Sequence, residues 1–424
     1  MTNESLTRRE RSRDCVILAR RVGRPAARWG VVLGPAALWG AVLGLAALVS
    51  PAICRAAQPQ GDGPEFPAVT AAMKEFVAKE NIAGAVTVVA TKDKIVHCSA
   101  VGQADIAAGT PMRPDAIGWI ASMTKPITAT AILMLQDEGK LSVDDPVAKY
   151  VPQLGGLKTA DGKPGNLTLR HLLTHTSGMA EATAEESKSA HTLADLIPFF
   201  ASKPLKFEPG TKWQYCQSGI NTLGRIVEVA SGQPFPEFLQ KRLFGPLGMK
   251  DTGFYPTAEQ VSRVAKSYKI ADKKLVEAPV KDDYDYKRTD RVPMANGGLY
   301  STAPDYVRFC QMILGQGSLD GKQYLSPKSV KLMTSIQTGD LKAGFLEGSG
   351  WGLGWGVVRQ PQGPTAMLSA GTFGHGGAYG TQAWIDPVKQ VIYILMVQRS
   401  DFPNADGSDV RSIFQAKAAE AMGR

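Results

Sequence analysis

The segment from residue 122 to about residue 138 restricts the fold of this 424-residue chain more than any other. It is strongly apolar and stops at Gly139, so its spacing predicts a buried helix with a glycine cap. Pro126 must lie in the first turn, because a proline deeper in a helix breaks the hydrogen-bond ladder. Ser122 is therefore expected at the helix N-terminus. The apolar positions behind this prediction are Ile127, Ala131, Ile132, Met134 and Leu135.

The start of this helix carries a serine and a lysine three residues apart, Ser122 and Lys125. Three residues are almost one helical turn, so the two side chains are expected on one face. A serine needs a base to attack a carbonyl, and a lysine can serve if burial lowers its pKa. The S-x-x-K pattern alone recurs often by chance and decides nothing.

Strand patterns occur at both ends of the chain. After helical spacing over residues 69–79, residues 83–105 read as two β-rich segments around a charged turn, which predicts a hairpin. Residues 352–360, 376–387 and 390–398 show β-character again, and a helical run over 409–422 follows. This pattern predicts a lobe of about residues 65–140 and 300–424, with a mostly helical lobe of about 141–299 inserted.

Two further stretches could supply partners for the serine. In "FEPGTKWQYCQSG" (207–219), Tyr215 lies in a loop, and a tyrosine near a lysine can act as a phenolate that shuttles a proton. A lone tyrosine is more commonly a core aromatic. In "GHGGAYG" (374–380), a glycine-flanked turn lets substrate approach the backbone, and the Ala378 N–H could help form an oxyanion hole. A plain hairpin turn is the alternative.

Several longer phrases, in one order, resemble the serine β-lactamase and penicillin-binding-protein superfamily, in particular its class C-like branch with related esterases and D-amino-acid peptidases. The resemblance covers about residues 65–422. Beyond the short motifs, it is carried by "HLLTHTSGM" (171–179), "FEPGTKWQY" (207–215), "LFGPLGMKDTGF" (243–254) and "NGGLYSTAPDYVRF" (296–309).

The resemblance implies an α+β fold of the β-lactamase/transpeptidase type, in which helices flank an antiparallel sheet and a mostly helical lobe is inserted. It also implies that Ser122 is an acylated nucleophile, that Lys125 and Tyr215 are its acid/base partners, and that the amides of Ser122 and Ala378 form an oxyanion hole. No cofactor and no metal is implied.

Two departures from the family pattern bear on the substrate. Gln217 stands where the family commonly has asparagine, so its contact to Lys125 or to a substrate amide is expected to be displaced. His375-Gly376-Gly377 replaces the Lys-Thr-Gly of class C β-lactamases, and a mostly neutral histidine weakens recognition of an anionic substrate.

These features favour an esterase acting on small esters or amides. A β-lactamase, and a D,D-carboxypeptidase or D-aminopeptidase acting on cell-wall peptides, remain alternatives. A catalytically inactive, membrane-tethered scaffold is the alternative of another class.

Residues 1–57 are predicted to be an export signal or a membrane anchor. An arginine-rich start precedes residues 29–54, which are uncharged. This predicts a periplasmic or secreted hydrolase domain over residues 58–424, anchored in the inner membrane only if 29–54 is retained. The first 57 residues hold six of the nine net positive charges. The remaining residues carry a net charge of only +3 without any basic run, so nucleic-acid binding is not expected.

Metal and disulfide chemistry receive no support from the sequence. His171 and His175 have a spacing that can chelate zinc on a helix, but no acidic residue lies between them, and a helix packed beneath the site is the favoured reading. Downstream of residue 57 only Cys98, Cys216 and Cys310 remain, which is no disulfide framework.

Overall fold

An eight-stranded antiparallel sheet organises the chain in the computed structural model, which describes residues 66–423. Two-residue and four-residue strands form three small additional ribbons. The strands are β1 Gly84–Ala90, β2 Ile95–Asp105, β3 Thr110–Pro111, β4 Gly118–Trp119, β5 Tyr268–Ala271, β6 Lys274–Glu277, β7 Tyr300–Ser301, β8 Ser318–Leu319, β9 Lys322–Gln323, β10 Ser349–Trp351, β11 Gly356–Val358, β12 Phe373–Gly376, β13 Gln382–Asp386 and β14 Val391–Met396.

The strand order in the large sheet is β10-β11-β12-β13-β14-β1-β2-β3. The predicted hairpin of β1 and β2 is confirmed, with Val88 opposite Cys98. On its other side β1 pairs with β14, so the C-terminal third completes a sheet that begins near the N-terminus. All seven residues of β1 are buried, because helices cover both faces of the sheet.

Side chains of alternate residues enter two different cores. On β1, Val86 and Val88 belong to one core, whereas Val89 packs in the other. The helices that flank the sheet and build the inserted region are α1 Pro67–Ala78, α2 Thr124–Asp137, α3 Leu169–Leu173, α4 Ala184–Ser189, α5 Leu193–Ala201, α6 Gln217–Ser231, α7 Phe235–Leu239, α8 Gly245–Leu247, α9 Ala258–Val261, α10 Ala303–Leu314, α11 Pro327–Thr334 and α12 Asp409–Ala421.

Helices α1 and α12 pack together on one face of the sheet, and α10 lies on the other face against β1 and β14. Helix α2 packs against α6. The fold is thus of the α+β class predicted from the sequence, with an antiparallel sheet between helical layers.

The helix predicted after Ser122 is confirmed with one refinement. Ser122 occupies a single 3-10 turn, Ala121–Met123, and α2 proper begins at Thr124. Gly139 follows the helix with a φ of +70°, a conformation that glycine adopts without steric cost. All residues of α2 from Thr124 to Leu135 are buried, so the helix start is fixed by the core on every side.

The region between residues 141 and 299 contains a hairpin, β5–β6, that the sequence pattern did not indicate. The predicted signal or anchor at residues 1–57 lies outside the described residues. Within residues 66–423 no helix has the length and apolarity needed to cross a membrane.

Candidate active site

Ser122 and Lys125 meet at the start of α2, as their spacing predicts. Lys125 Nζ donates hydrogen bonds to Ser122 Oγ at 3.0 Å and to the backbone oxygen of Asn296 at 2.7 Å. The Lys125 side chain is fully buried, and this burial lowers its pKa to about 7, against an opposing effect of the Glu181 charge. Near neutral pH a large fraction of Lys125 is therefore an uncharged amine that can accept a proton.

The backbone before Ser122 is held in a conformation that costs free energy. Ala121 has a φ of +46°, which is uncommon for a residue with a side chain and costs about 1 kcal/mol or more. This bend turns the chain into α2 and leaves Ser122 half-buried at the floor of a cleft.

Tyr215 lies over the amine of Lys125, whose Nζ is 4.6 Å from the centre of the tyrosine ring. Burial raises the pKa of the Tyr215 hydroxyl well above its ordinary value, although a hydrogen bond with Ser122 acts in the opposite direction. Tyr215 is therefore a neutral phenol at neutral pH. The phenolate considered from the sequence is not the form that this environment favours.

His175 holds Tyr215 in place, a role that the sequence did not reveal. Its backbone oxygen accepts a hydrogen bond from Gln214 N at 2.9 Å, and its Nδ1 accepts one from Cys216 N at 3.1 Å. The imidazole also lies against the Tyr215 ring, with ring centres 4.4 Å apart. His175 itself has a φ of +58°, so the turn that contains it adopts a left-handed backbone conformation that is uncommon for residues other than glycine.

The turn after β12 approaches the chain that precedes Ser122. Gly377 N donates to Thr381 O at 2.7 Å, and the Thr381 hydroxyl donates to Ile120 O at 3.3 Å. A Cβ atom at Gly377 would lie 2.0 Å from Thr381 Oγ1, so only glycine fits here. This segment is a hairpin turn between β12 and β13, the alternative considered from the sequence, and it also places Ala378 in the lining of the cleft that contains Ser122.

His375 is buried near the end of β12, whose last residue is Gly376. Its Nδ1 lies 2.7 Å from Gly376 O, which can only accept, so Nδ1 carries the proton and Nε2 accepts from the Tyr215 hydroxyl at 3.4 Å. Burial lowers the pKa of His375 to about 3. This histidine is therefore neutral and provides no positive charge.

Gln217 begins α6 and contacts Asn296 rather than Lys125, as its extra methylene suggested. Asn296 Nδ2 donates to Gln217 Oε1 at 2.8 Å and to the hydroxyl of Tyr284 at 2.9 Å. Asn296 and Tyr284 were not identified as site residues from the sequence. Both come from chain segments remote from Gln217 that only the fold brings together.

The cleft above Ser122 has a volume of about 400 Å³. Its lining combines aromatic rings with uncharged polar groups, and Lys281 is the one charged residue that lines it within residues 66–423. The residues that line it are Trp119, Ala121, Ser122, Gln217, Lys281, Tyr284, Asn296, Gly297, Ala378, Tyr379 and Ser400.

The two histidines with zinc-binding spacing have separate structural contacts. His171 takes part in the cap of α3, where its Nδ1 accepts from Thr168 N at 3.3 Å, whereas His175 contacts Tyr215. No cluster of three or more His, Cys, Asp or Glu side chains between residues 66 and 423 is placed to hold a metal ion.

Together, the antiparallel sheet, the inserted helices and the serine at the start of a buried helix define a serine hydrolase of the β-lactamase fold. The chain belongs to the Beta-lactamase family, whose sequence profile matches residues 69–418.

Sequence similarity to two proteins and structural similarity to a third support this assignment. Protein Rv1367c of Mycobacterium tuberculosis (strain ATCC 25618 / H37Rv) is 35% identical to this chain over 358 residues, which cover 77% of this chain and 88% of that protein. Esterase EstB of Burkholderia gladioli is 31% identical over 347 residues, or 74% of this chain and 86% of EstB. The structure of EstCE1, a hydrolase with promiscuous acyltransferase activity, shares the fold with a TM-score of 0.71 at 23% identity, over 83% of this chain and 97% of EstCE1.

Proposed function

We propose that this protein is an esterase that hydrolyses small esters through an acyl-enzyme intermediate on Ser122. The observation that carries the proposal is the contact of 3.0 Å between Ser122 Oγ and the buried amine of Lys125. Because the pKa of Lys125 is lowered to about 7, the amine can take the serine proton as the oxygen attacks the ester carbonyl.

In the acylation step, the Ser122 oxygen forms a bond to the carbonyl carbon and its proton moves to Lys125. The carbonyl oxygen becomes an oxyanion, which the backbone N–H groups of Ser122 and Ala378 stabilise. Collapse of this intermediate breaks the bond to the leaving alkoxide, and the phenol of Tyr215 donates a proton to it. The proton on Lys125 then restores the phenol, and a water molecule repeats the sequence to release the acid.

An ester fits the site better than a β-lactam. A β-lactam carries a carboxylate, and recognition of this group calls for a fixed positive charge. His375 is neutral, with a pKa of about 3, and Lys281 is exposed at the rim of the cleft, where water and salt screen its charge. The similarity to esterase EstB supports the same choice.

Hydrolysis of p-nitrophenyl butyrate and nitrocefin, measured side by side, tests this proposal. We expect ester turnover that Ser122→Ala abolishes and that Ser262→Ala, a matched change at an exposed serine, leaves intact. Faster turnover of nitrocefin than of the ester would establish a β-lactamase instead. Preferential release of D-alanine from a D-Ala-D-Ala peptide would establish a peptidase, and inertness toward all three substrates would favour the scaffold.

Export of this hydrolase is part of the proposal. The arginine-rich start and the uncharged stretch 29–54 support delivery to the periplasm or outside the cell, with 29–54 as an anchor if it is retained. Cell fractionation, with mass spectrometric identification of the N-terminal residue in each fraction, tests this. A full-length protein confined to the cytosol would refute it.

A further inference from the structure

We infer that Glu181 is a positioning residue for the reaction at Ser122. Its carboxylate holds the first turn of α6, which begins two residues after Tyr215, and supplies the negative charge that balances the amine of Lys125. The inference rests on the proposed function and adds to it a residue that lies outside the lining of the cleft.

Both carboxylate oxygens of Glu181 accept hydrogen bonds from the start of α6. Oε1 accepts from Gln217 N at 2.7 Å, and Oε2 accepts from Ser218 N at 2.9 Å and from the Ser218 hydroxyl at 2.7 Å. All three partners are donors, so the group is held as an ionised carboxylate. Gln217 and Ser218 are the first two residues of α6, and their N–H groups have no acceptor inside the helix. Glu181 supplies these acceptors and places a negative charge at the positive end of the helix.

Glu181 is itself fixed by its surroundings. The side chain is half-buried, and the backbone oxygen of Glu181 accepts a hydrogen bond from Lys203 Nζ at 3.0 Å. Tyr215 therefore lies between two sets of contacts, those that His175 makes with the neighbours of Tyr215 and those that Glu181 makes with α6. Loss of the Glu181 contacts would free the chain on one side of the tyrosine.

The charge of Glu181 also acts on the base. Burial lowers the pKa of Lys125 to about 7, and the negative charge of Glu181 acts in the opposite direction. Glu181 thus limits how far burial can lower the pKa of this amine. The pH at which the amine becomes a competent base depends on both effects.

The other titratable groups of the site are two imidazoles, one thiol and two phenols: His175, His375, Cys216, Tyr215 and Tyr284. Burial lowers the pKa of both imidazoles and raises the pKa of the thiol and of both phenols, so all five groups are uncharged at neutral pH. Lys281 carries a charge in the cleft, but it is exposed, and water and salt screen it. Glu181 is therefore the charged group that acts on Lys125.

The variant Glu181→Gln removes the charge at nearly constant size. Without the negative charge the protonated form of Lys125 is less stable, so the rising limb of kcat/KM against pH, measured with p-nitrophenyl butyrate, should move to lower pH by roughly one unit. At pH 5 the variant should keep about ten times the fraction of its plateau rate that the wild-type protein keeps. The plateau itself should fall, because an amide nitrogen cannot accept the hydrogen bonds that a carboxylate oxygen accepts.

Three further variants separate the charge from the structural contacts. Glu181→Asp keeps the charge on a shorter side chain, so its plateau should fall while its limb stays at the wild-type pH. Glu181→Ala removes the charge and lets water reach the two amides, so its limb should shift even if Glu181→Gln does not fold. Glu185→Gln removes a negative charge from an exposed position four residues away, and both its limb and its plateau should match the wild-type protein. A purely structural role would lower the plateau of every Glu181 variant and move no limb.

An NMR titration of the carbon-13 signal of Lys125 Cε, recognised by its absence from Lys125→Met, reports the same balance without turnover. If the wild-type protein hydrolyses no ester, the proposed function fails, and a lower midpoint in Glu181→Gln or Glu181→Ala than in the wild-type protein still supports the inference. Equal midpoints would overturn the inference, and if esters are hydrolysed the proposed function then stands alone. A shift of equal size in Glu185→Gln would overturn it as well.

Discussion

Replacement of the buried amine by a side chain of similar length without charge, Lys125→Met, is expected to stabilise the protein while it abolishes hydrolysis. The structure places Lys125 in a site with no exposure, where its pKa falls from an ordinary 10.5 to about 7. A fall of this size means that protonated Lys125 costs roughly 5 kcal/mol of folding free energy, because one pKa unit corresponds to about 1.4 kcal/mol. Methionine removes this cost.

The substitution also makes an unfavourable contribution to the free energy of unfolding that does not depend on pH. It leaves the backbone oxygen of Asn296 without the hydrogen bond from Lys125, which costs about 1–3 kcal/mol. At pH 7 the net expectation for Lys125→Met is therefore a free energy of unfolding roughly 1–3 kcal/mol above that of the wild-type protein.

The pH dependence of stability separates the cost of protonated Lys125 from the cost of the lost hydrogen bond. The sign of this dependence follows from proton linkage. Below pH 7 both the folded and the unfolded chain protonate Lys125, so this group adds no slope. Between pH 7 and 10.5 only the unfolded chain holds the proton, so the stability of the wild-type protein rises with pH. Relative to Lys125→Met, it should gain about 2 kcal/mol from pH 7 to pH 9.

Urea unfolding at half-unit steps from pH 6 to pH 9 measures this difference. Ser122→Ala is the control from the same site, because it changes no group that titrates in this range, and its stability should parallel that of the wild-type protein. A stability difference between wild type and Lys125→Met that stays constant from pH 6 to pH 9 would show that Lys125 remains protonated in the folded protein and is not a neutral base.

Three further predictions concern catalysis and packing. His175→Asn, which tolerates the left-handed backbone but lacks the ring, should lower kcat by up to about 100-fold with little change in KM, whereas His171→Asn should have little effect on either constant. The kcat/KM for an ester should rise about tenfold per pH unit below the Lys125 pKa of about 7 and level off above it, and a rate that is flat from pH 5 to pH 8 would contradict this. Arg411→Met should lower the free energy of unfolding by roughly 3 kcal/mol, because Arg411 is fully buried and its Nη1 lies 3.8 Å from Asp406 Oδ1, which would lose its charged partner. A urea unfolding midpoint equal to that of the wild-type protein would refute this prediction.

Local spacing was sufficient to predict β1, β2, β11, β13 and β14 of the sheet and the first two groups of the site, but not β3, β10 or β12. The β1–β2 hairpin follows from two β-rich segments around a charged turn, and the helix after Ser122 follows from a strongly apolar stretch that stops at Gly139. The contact between Ser122 and Lys125 depends only on residues within one helical turn, so it could be read from the sequence directly.

The sequence could not reveal features that depend on distant chain segments or on exposed elements. Asn296 meets Gln217 across 79 positions and Tyr284 across 12, and no local pattern reports either contact. Each strand of the β5–β6 hairpin has only four residues and half of the eight are exposed, so the pattern is too short and too polar to identify a strand. The family phrase "HLLTHTSGM" drew attention to the segment around His175, but its contact with Tyr215 emerges only in the folded chain.

The most direct test of the central claim is the location of the acyl group during turnover. Quenched-flow mixing with p-nitrophenyl butyrate, followed by proteolysis and mass spectrometry, should find a butyryl group on the peptide that contains Ser122, and no adduct in Ser122→Ala. A butyryl group on another residue, or undiminished turnover in Ser122→Ala, would contradict the account.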